Sequence, residues 1–328
     1  MPQGFWNKLK KTIFAIAPMA NVTDAAFRHM FVECGRPDIF WTEFVSVEAL
    51  LSKGKERALV DLWYGKEEHP IVAQIFGAKP EQFERAAALV RELGFDGIDI
   101  NMGCPDKDVE KQGAGAALMK DPELAREIIR ATKVGAKNLP VSVKTRIGYA
   151  KNEMAEWLPV LLHENIAALT VHLRTRNEMS DVAARWELAP EVAALRNKHA
   201  PDTIVLCNGD VGSLDDARVK VAATGIDGVM VGRGIFGNPW FFSGKEPSVK
   251  EKLDRMVAHA ELFEKLYHSN DKDRLKNFDV MKKHFKAYVS GFLGAKELRI
   301  KLMETENAAE VKKIVEESKQ TLLSNSIE

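Results

Sequence analysis

The chain has 328 residues, long for one small domain and enough for a barrel of roughly 250 residues with an appendage. Hydrophobic residues make up 45% and charged residues 29%, which is ample apolar material for a sizeable core. The 47 basic side chains balance 47 acidic ones, so global charge points to no nucleic-acid partner and any such surface has to be a local patch. The N-terminal MPQGFWNKLKKTIF has lysines but no long apolar core or cleavage site. No run approaches the roughly 18 apolar residues of a membrane helix, and a cytoplasmic protein is expected. Short apolar, β-branched runs then alternate with longer helical patterns. Strands are predicted at 13–17, 39–44, 71–76, 97–101, 141–145, 168–172, 204–208 and 228–232. Helices are predicted at 80–93, which opens on proline and closes at Gly94, and at 122–134. The stretch LLSKGKERALVDLWYGKEEH has room for more than one short helix. Turn residues crowd 237–247, and only helical periodicity follows.

Eight strands with intervening helices predict an α/β fold, a closed (β/α)₈ TIM barrel. A doubly wound open sheet is the alternative, but no G-x-G-x-x-G follows the first strand. The expected division is a barrel catalytic domain over 1–242 and a smaller helical bundle over 243–328. The three cysteines, Cys34, Cys104 and Cys207, are far apart and form no C-x-x-C pair. That argues against a disulfide framework and a metal site, and fits a reducing compartment.

In such a barrel the active site sits at the C-terminal ends of the strands. The polar residues there are Pro18-Met19-Ala20, Glu43, Gln74, Asn101 to Pro105, Lys144, His172, Asn208-Gly209-Asp210 and Gly232-Arg233. Alone, His172 reads as a satisfied core histidine and Gln74 as a bond to a neighbouring strand. Lys144 is harder to explain that way, because an unpaired lysine is costly to desolvate. On successive strands they read as one site. NGDVGS and VGRGIFG put glycine at the strand-to-helix turn, where backbone amides can approach an anion and Arg233 can add a contact. Packing explains Cys34 and Cys207, but not Cys104 in its Gly-Cys-Pro loop. A thiol with a pKa near 8.5 is protonated at neutral pH and can act as a general acid, or as a nucleophile beside a base.

APMANVTDAAFR, INMGCPDKDVEKQGAGAAL, VKTRIG, VHLRTR, NGD and VGRG resemble, in order and spacing, the motifs of the tRNA-dihydrouridine synthases. KKHFKAYVSGFLGAKELRIKL is similar to that family's C-terminal helical segment, so the resemblance runs from about Phe14 to Leu302. It implies FMN as cofactor, NADPH or NADH as reductant, and tRNA as partner. It implies reduction of the C5–C6 double bond of a uridine, with hydride to C6 and a proton from Cys104 to C5. Pro18, Met19, Gln74, Lys144 and His172 would line the isoalloxazine. Asn208, Gly209, Asp210, Gly232 and Arg233 would hold the phosphate. Asn101, with Arg174 and Arg176, would meet the substrate. The uridine must leave its stack to react. No protein partner is implied, and a monomer is expected.

Two positions depart from the family pattern. Asn21 replaces a glycine, and asparagine tolerates left-handed backbone better than other residues. Leu173 replaces the glycine after the barrel histidine and is expected to reshape the mouth near Arg174. Competing readings are a flavin barrel acting on a free pyrimidine, in the manner of dihydroorotate or dihydropyrimidine dehydrogenases, and a tRNA-binding protein without catalysis. Between Lys276 and Lys301 the tail carries Lys276, Lys282, Lys283, Lys286, Lys296, Arg299 and Lys301 against Asp279 and Glu297. Lys282, Lys283 and Lys286 are expected to meet tRNA phosphate.

Overall fold

The computed structural model describes residues 4–268 and 274–324; the extreme ends of both predicted domains lie outside them. The strands are β1 (Ile13–Ile16), β2 (Phe40–Ser46), β3 (Ile71–Phe76), β4 (Gly97–Met102), β5 (Val141–Arg146), β6 (Ala168–His172), β7 (Ile204–Asn208) and β8 (Gly228–Val231). The helices begin with α1 (Ala25–Cys34), α2 (Val47–Leu51), α3 (Lys55–Leu59), α4 (Pro80–Glu92), α5 (Lys107–Glu110) and α6 (Pro122–Ala136). They continue with α7 (Met154–Leu162), α8 (Ala189–His199), α9 (Leu214–Thr224), α10 (Val249–Tyr267), α11 (Val280–Tyr288), α12 (Ala295–Leu302) and α13 (Ala308–Ser324). None of the described helices is long and apolar enough to cross a membrane.

All eight strands run parallel in the order β1-β8-β7-β6-β5-β4-β3-β2. The ring is completed where Ala15 bridges Ile39 and the Asp38 amide donates to the Phe14 carbonyl at 2.9 Å. This is a (β/α)₈ barrel. Helix α4 shows why the ring helices form: Phe83, Ala86, Ala87 and Val90 recur at helical spacing and are all buried. Asp121 caps α6, its side chain accepting from the Leu124 amide at 3.1 Å. The loop-rich second unit holds two short helices, α2 and α3, as its composition suggested.

The barrel interior is filled by Ala15, Ala17, Ile39, Trp41, Val72, Ala168, Leu206 and Met230. Trp6, from a short 3₁₀ turn ahead of β1, joins this cluster 2% exposed, its ring 6.1 Å from that of Trp41. The N-terminal segment therefore supplies a core residue, a role its sequence did not disclose.

The chain divides into two units, Met1–Ala20 with Pro37–Arg233, and Asn21–Arg36 with Gly234–Glu328. The division differs from a single break at 242/243. Helix α1 follows β1 in sequence but packs in the helical unit, for an aromatic reason. Phe27 lies 5.2 Å from the His259 ring and 4.5 Å from that of His284, and Phe31 lies 5.8 Å from Phe242. The Tyr267 hydroxyl also accepts the orphan amide of Ala25 at 3.1 Å. Ser248 starts α10 with a capping box to Glu251. Asn21 adopts φ +54°, the left-handed conformation expected of it.

At the centre of this unit His259 and His284 are fully buried, ring centroids 4.7 Å apart. None of their four ring nitrogens meets a hydrogen-bond partner among the described residues. Burial pushes His259 well below the usual histidine range and His284 down to about 3, so both rings are neutral at pH 7.

Candidate active site

The C-terminal ends of the strands assemble two tiers of polar side chains. The accessible tier holds Met19, Cys104, Lys144, His172, Gly209, Asp210, Gly232 and Arg233. Beneath it, Gln74, Asp99, Asn101 and Ser142 are buried and bonded to one another. Gln74 is 0% exposed, so in this conformation it supports the wall of the site and does not line it. Pro18 is buried beside the accessible Met19.

Neutral-pH charge in this region is set by burial and by neighbours. Burial raises the Asp99 carboxyl to about 6, against bonds from Gln74 and Ser142 and the charge of Lys144 that lower it. Desolvation, helped by nearby Arg146, pushes the Lys144 ammonium down to about 8, while Asp99 and Cys104 pull it back up. The two groups are therefore opposite charges at pH 7, in a barrel mouth where each moderates the other.

Cys104 is half-buried, and burial pushes its thiol up, which keeps it protonated at neutral pH. Its loop is clamped from several directions. The Asn101 side-chain oxygen accepts from the Gly103 and Cys104 amides at 3.1 and 2.9 Å. The Cys104 carbonyl accepts from the Ala116 amide at 3.0 Å. A Cβ at Gly115, where φ is +61°, would lie 2.8 Å from that carbonyl oxygen, so only glycine closes this turn. Arg146 Nε donates to the Gly103 carbonyl at 2.8 Å, and its Nη1 to the carbonyls of Thr175 and Met179, both at 2.9 Å. Arg176 pairs with Glu110 and reaches the Pro105 carbonyl at 3.4 Å.

A second constellation joins β6 to β7. Arg174 is 2% exposed and donates to the Val182 carbonyl at 2.7 Å, to Asp210, and to His172 Nε2 at 2.9 Å. A guanidinium cannot accept, so His172 Nε2 is the acceptor and its proton sits on Nδ1. Burial, with Arg146, Lys144 and Arg174 nearby, holds His172 well below its usual pKa and therefore neutral. The bond from Arg174 keeps the Asp210 carboxyl far below the ordinary carboxylate range, and Arg233 donates to its other oxygen at 2.7 Å. A Cβ on Gly209, at φ +125°, would fall 2.6 Å from the Ala184 Cβ, and its carbonyl accepts from Trp186 Nε1 at 2.7 Å.

Of the two arginines expected at the substrate, Arg174 is bonded to His172 and Asp210, and Arg176 to Glu110 and the Pro105 carbonyl. Asp210, a firm anion, aims Arg233 by its carboxylate. Leu173 is 0% exposed and packs inward. Asp99, Arg146 and Glu110 join this cluster without being singled out by the strand-end pattern. Asp99 carried a signal, a charged residue inside an otherwise apolar strand, which folding tolerates only with partners.

A family model described as "Dihydrouridine synthase (Dus)" matches residues 15–326 of this chain. The chain belongs to the dihydrouridine synthase family. It is thereby a flavin-dependent oxidoreductase. A "Probable tRNA-dihydrouridine synthase" of Staphylococcus aureus (strain Mu50) is 44% identical over 322 residues, 97% of this chain and 96% of that protein. A "Probable tRNA-dihydrouridine synthase 2" of Bacillus subtilis (strain 168) is 43% identical over 327 residues, 98% and 99% of the two chains. Among solved structures, a 2-naphthoyl-CoA reductase complex is similar with a TM-score of 0.53 at 13% identity, covering 74% of this chain and 51% of that one. Morphinone reductase in complex with tetrahydroNAD has a TM-score of 0.51 at 11% identity, covering 77% and 93%. At that identity these two likenesses show the barrel alone.

The residues present fit a flavin mononucleotide. Asn208 Oδ1 is buried with no hydrogen-bond partner among the described residues, an acceptor awaiting a donor. A Cβ on Gly232 would meet nothing nearer than Met19 Sδ and the Ala17 Cβ, both at 3.7 Å, so the turn is open for a ligand to approach. Arg233, 61% exposed at the side chain and steadied by Asp210, is a cation suited to phosphate. No cluster of metal-ligating side chains occurs among the described residues.

In the helical unit Lys283 and Lys286 are exposed on α11, while Lys282 is half-buried and paired with Asp279 at 2.5 Å. Lys296 and Lys301 are exposed on α12. Lys276 is 8% exposed and belongs to the interior.

Proposed function

We propose that this chain reduces the C5–C6 double bond of a uridine in tRNA, in the cytoplasm, with NADPH as the electron source. FMN, when bound, supplies the hydride chemistry. Lys144 would neutralise negative charge that develops on reduction, Met19 and His172 would flank the ring system, Asn208 Oδ1 would accept from a hydroxyl of the cofactor's ribityl chain, and Gly209, Gly232 and Arg233 would hold the phosphate. His172, neutral and protonated on Nδ1, offers a hydrogen-bond donor there without adding charge.

The observation that carries the reading is the state of Cys104. A thiol kept protonated by burial, on a loop held by Asn101, Arg146 and Arg176, is a proton reservoir at a fixed position. It would deliver its proton to C5 of the base as hydride adds to C6, which balances the reduction with one hydride and one proton. Asn101 holds the loop, and Arg174 and Arg176 act on the substrate indirectly, through His172 and the loop. Dihydrouridine mapped in tRNA from a strain lacking the gene, with and without complementation, tests the reading. A missing dihydrouridine restored by the gene supports it, and an unchanged dihydrouridine map would refute it.

Lys283 and Lys286, with Lys282, would bind tRNA phosphate. Replacing all three by glutamate should weaken tRNA binding and flatten its salt dependence, by up to about 0.9 in slope for each phosphate no longer neutralised. Flavin content and NADPH oxidation should stay near wild type.

A further inference from the structure

The buried tier beneath the site is a directed chain of hydrogen bonds. Ser142 Oγ donates to Asp99 Oδ1 at 2.5 Å, and Gln74 Nε2 donates to Asp99 Oδ2 at 2.6 Å. Asn101 Nδ2 donates to Gln74 Oε1 at 2.9 Å, and Asn101 Oδ1 accepts from the amides of Gly103 and Cys104. A carboxamide can turn over and exchange its donor for its acceptor at almost no cost in shape. Here neither does, because both ends of the chain are obligate. An ionised carboxylate can only accept, and a backbone amide can only donate.

We propose that Asp99 is a positioning residue that anchors the Gln74 carboxamide and, through it, the Asn101 side chain, and so holds the Cys104 loop in its working place. Without an acceptor at position 99, the Gln74 amide loses its anchor and its oxygen is no longer held toward Asn101. The Asn101 grip on the loop then rests on one side only. A half-satisfied buried network is less ordered than a complete one. The groups acting on Asp99 are Gln74 on β3, Ser142 and Lys144 on β5 and Trp41 on β2, and of these only Lys144 carries charge of its own. The idea rests on the assignment of Cys104 as proton donor, but it makes a separate claim about the loop.

The test compares Asp99→Asn with Asp99→Leu in flavin-loaded protein carrying Cys34→Ser, so that Cys104 is the accessible thiol. Asparagine keeps an oxygen for Gln74 and turns its nitrogen to Ser142. Leucine fills similar space but offers no acceptor. Maleimide labelling of Cys104 should speed several-fold in the leucine variant and stay near wild type in the asparagine variant. In dihydrouridine formation the leucine variant should lose kcat by on the order of ten- to a hundredfold, as expected for a misplaced reacting group, with KM for tRNA little changed. If the leucine variant does not fold, Gln74→Met breaks the same chain one link further on and should free the thiol likewise. Labelling unchanged within twofold in the folded leucine or methionine variant, or an asparagine variant as impaired as the leucine one, would overturn the proposal. Labelling reads the loop even where no uridine is reduced, so failure of the functional reading remains distinguishable.

Discussion

The histidine pair at the heart of the helical unit makes that unit acid-sensitive. His259 and His284 titrate in the folded unit well below the value of about 6.5 that each has in an unfolded chain. The unfolded state therefore binds more protons, and the stability they contribute is complete above pH ~6.5 and lost as pH falls from there toward the folded values. Between about pH 7 and 5.5 each ring should cost about 1 kcal/mol, and the pair about 2–3 kcal/mol. Lys283 on α11 and Arg255 on α10 add positive charge nearby and act in the same direction. The perturbation is His284→Phe, which keeps an aromatic ring beside Phe27 and removes two nitrogens that have no partner among the described residues. Stability at pH 7 should change by no more than about 1 kcal/mol, since unsatisfied buried nitrogens contribute nothing favourable. The loss on acidification should shrink by about 1 kcal/mol, the share of one ring. Urea denaturation of wild type and variant at both pH values measures this. Equal loss in the two proteins would place the titrating groups elsewhere.

Other consequences concern the site. Because Lys144 sits near 8, its charge fades as pH rises through that value, so reduction of bound flavin by NADPH should slow above pH 8 in stopped-flow measurements. Lys144→Arg, whose side chain stays charged to about pH 12, should remove that limb. Arg176→Ala should free the Cys104 loop and α5 from their tie to the segment after β6 and lower uridine reduction by about tenfold, as a displaced reacting group does, with flavin content unchanged by absorbance. Gly209→Ala should lower flavin retention, because its Cβ would sit 2.6 Å from that of Ala184 on backbone only glycine adopts readily.

Much of the barrel was legible because parallel strands are buried on both faces and therefore read as continuous apolar runs. The ranges of β3, β6 and β7 match expectation, β1, β4, β5 and β8 differ by one residue at their C-terminal ends, and β2 differs at both ends, by one and two residues. Asn21 took the left-handed turn because its short side chain permits it. What stayed hidden is packing at long sequence separation. Helix α1 looks like any ring helix, and only Phe27 and Phe31, seated among rings from α10, α11 and Phe242, reveal its allegiance. The strand-end rule located Lys144, His172 and Cys104 together. It could not say that Arg174 and Arg176 spend their guanidinium groups on protein partners, because an ion pair with Asp210 or Glu110 is invisible in the sequence.

The uridine reduction proposed for this chain needs a proton, which the Cys104 thiol would supply. The most direct test of that role is single-turnover dihydrouridine formation by pre-reduced, flavin-loaded wild type and Cys104→Ala, on tRNA from a strain lacking the gene. The variant should bind flavin and be reduced by NADPH as wild type is, while dihydrouridine formation falls by about 10²–10⁴-fold. Dihydrouridine formed by the variant at the wild-type rate would contradict that role.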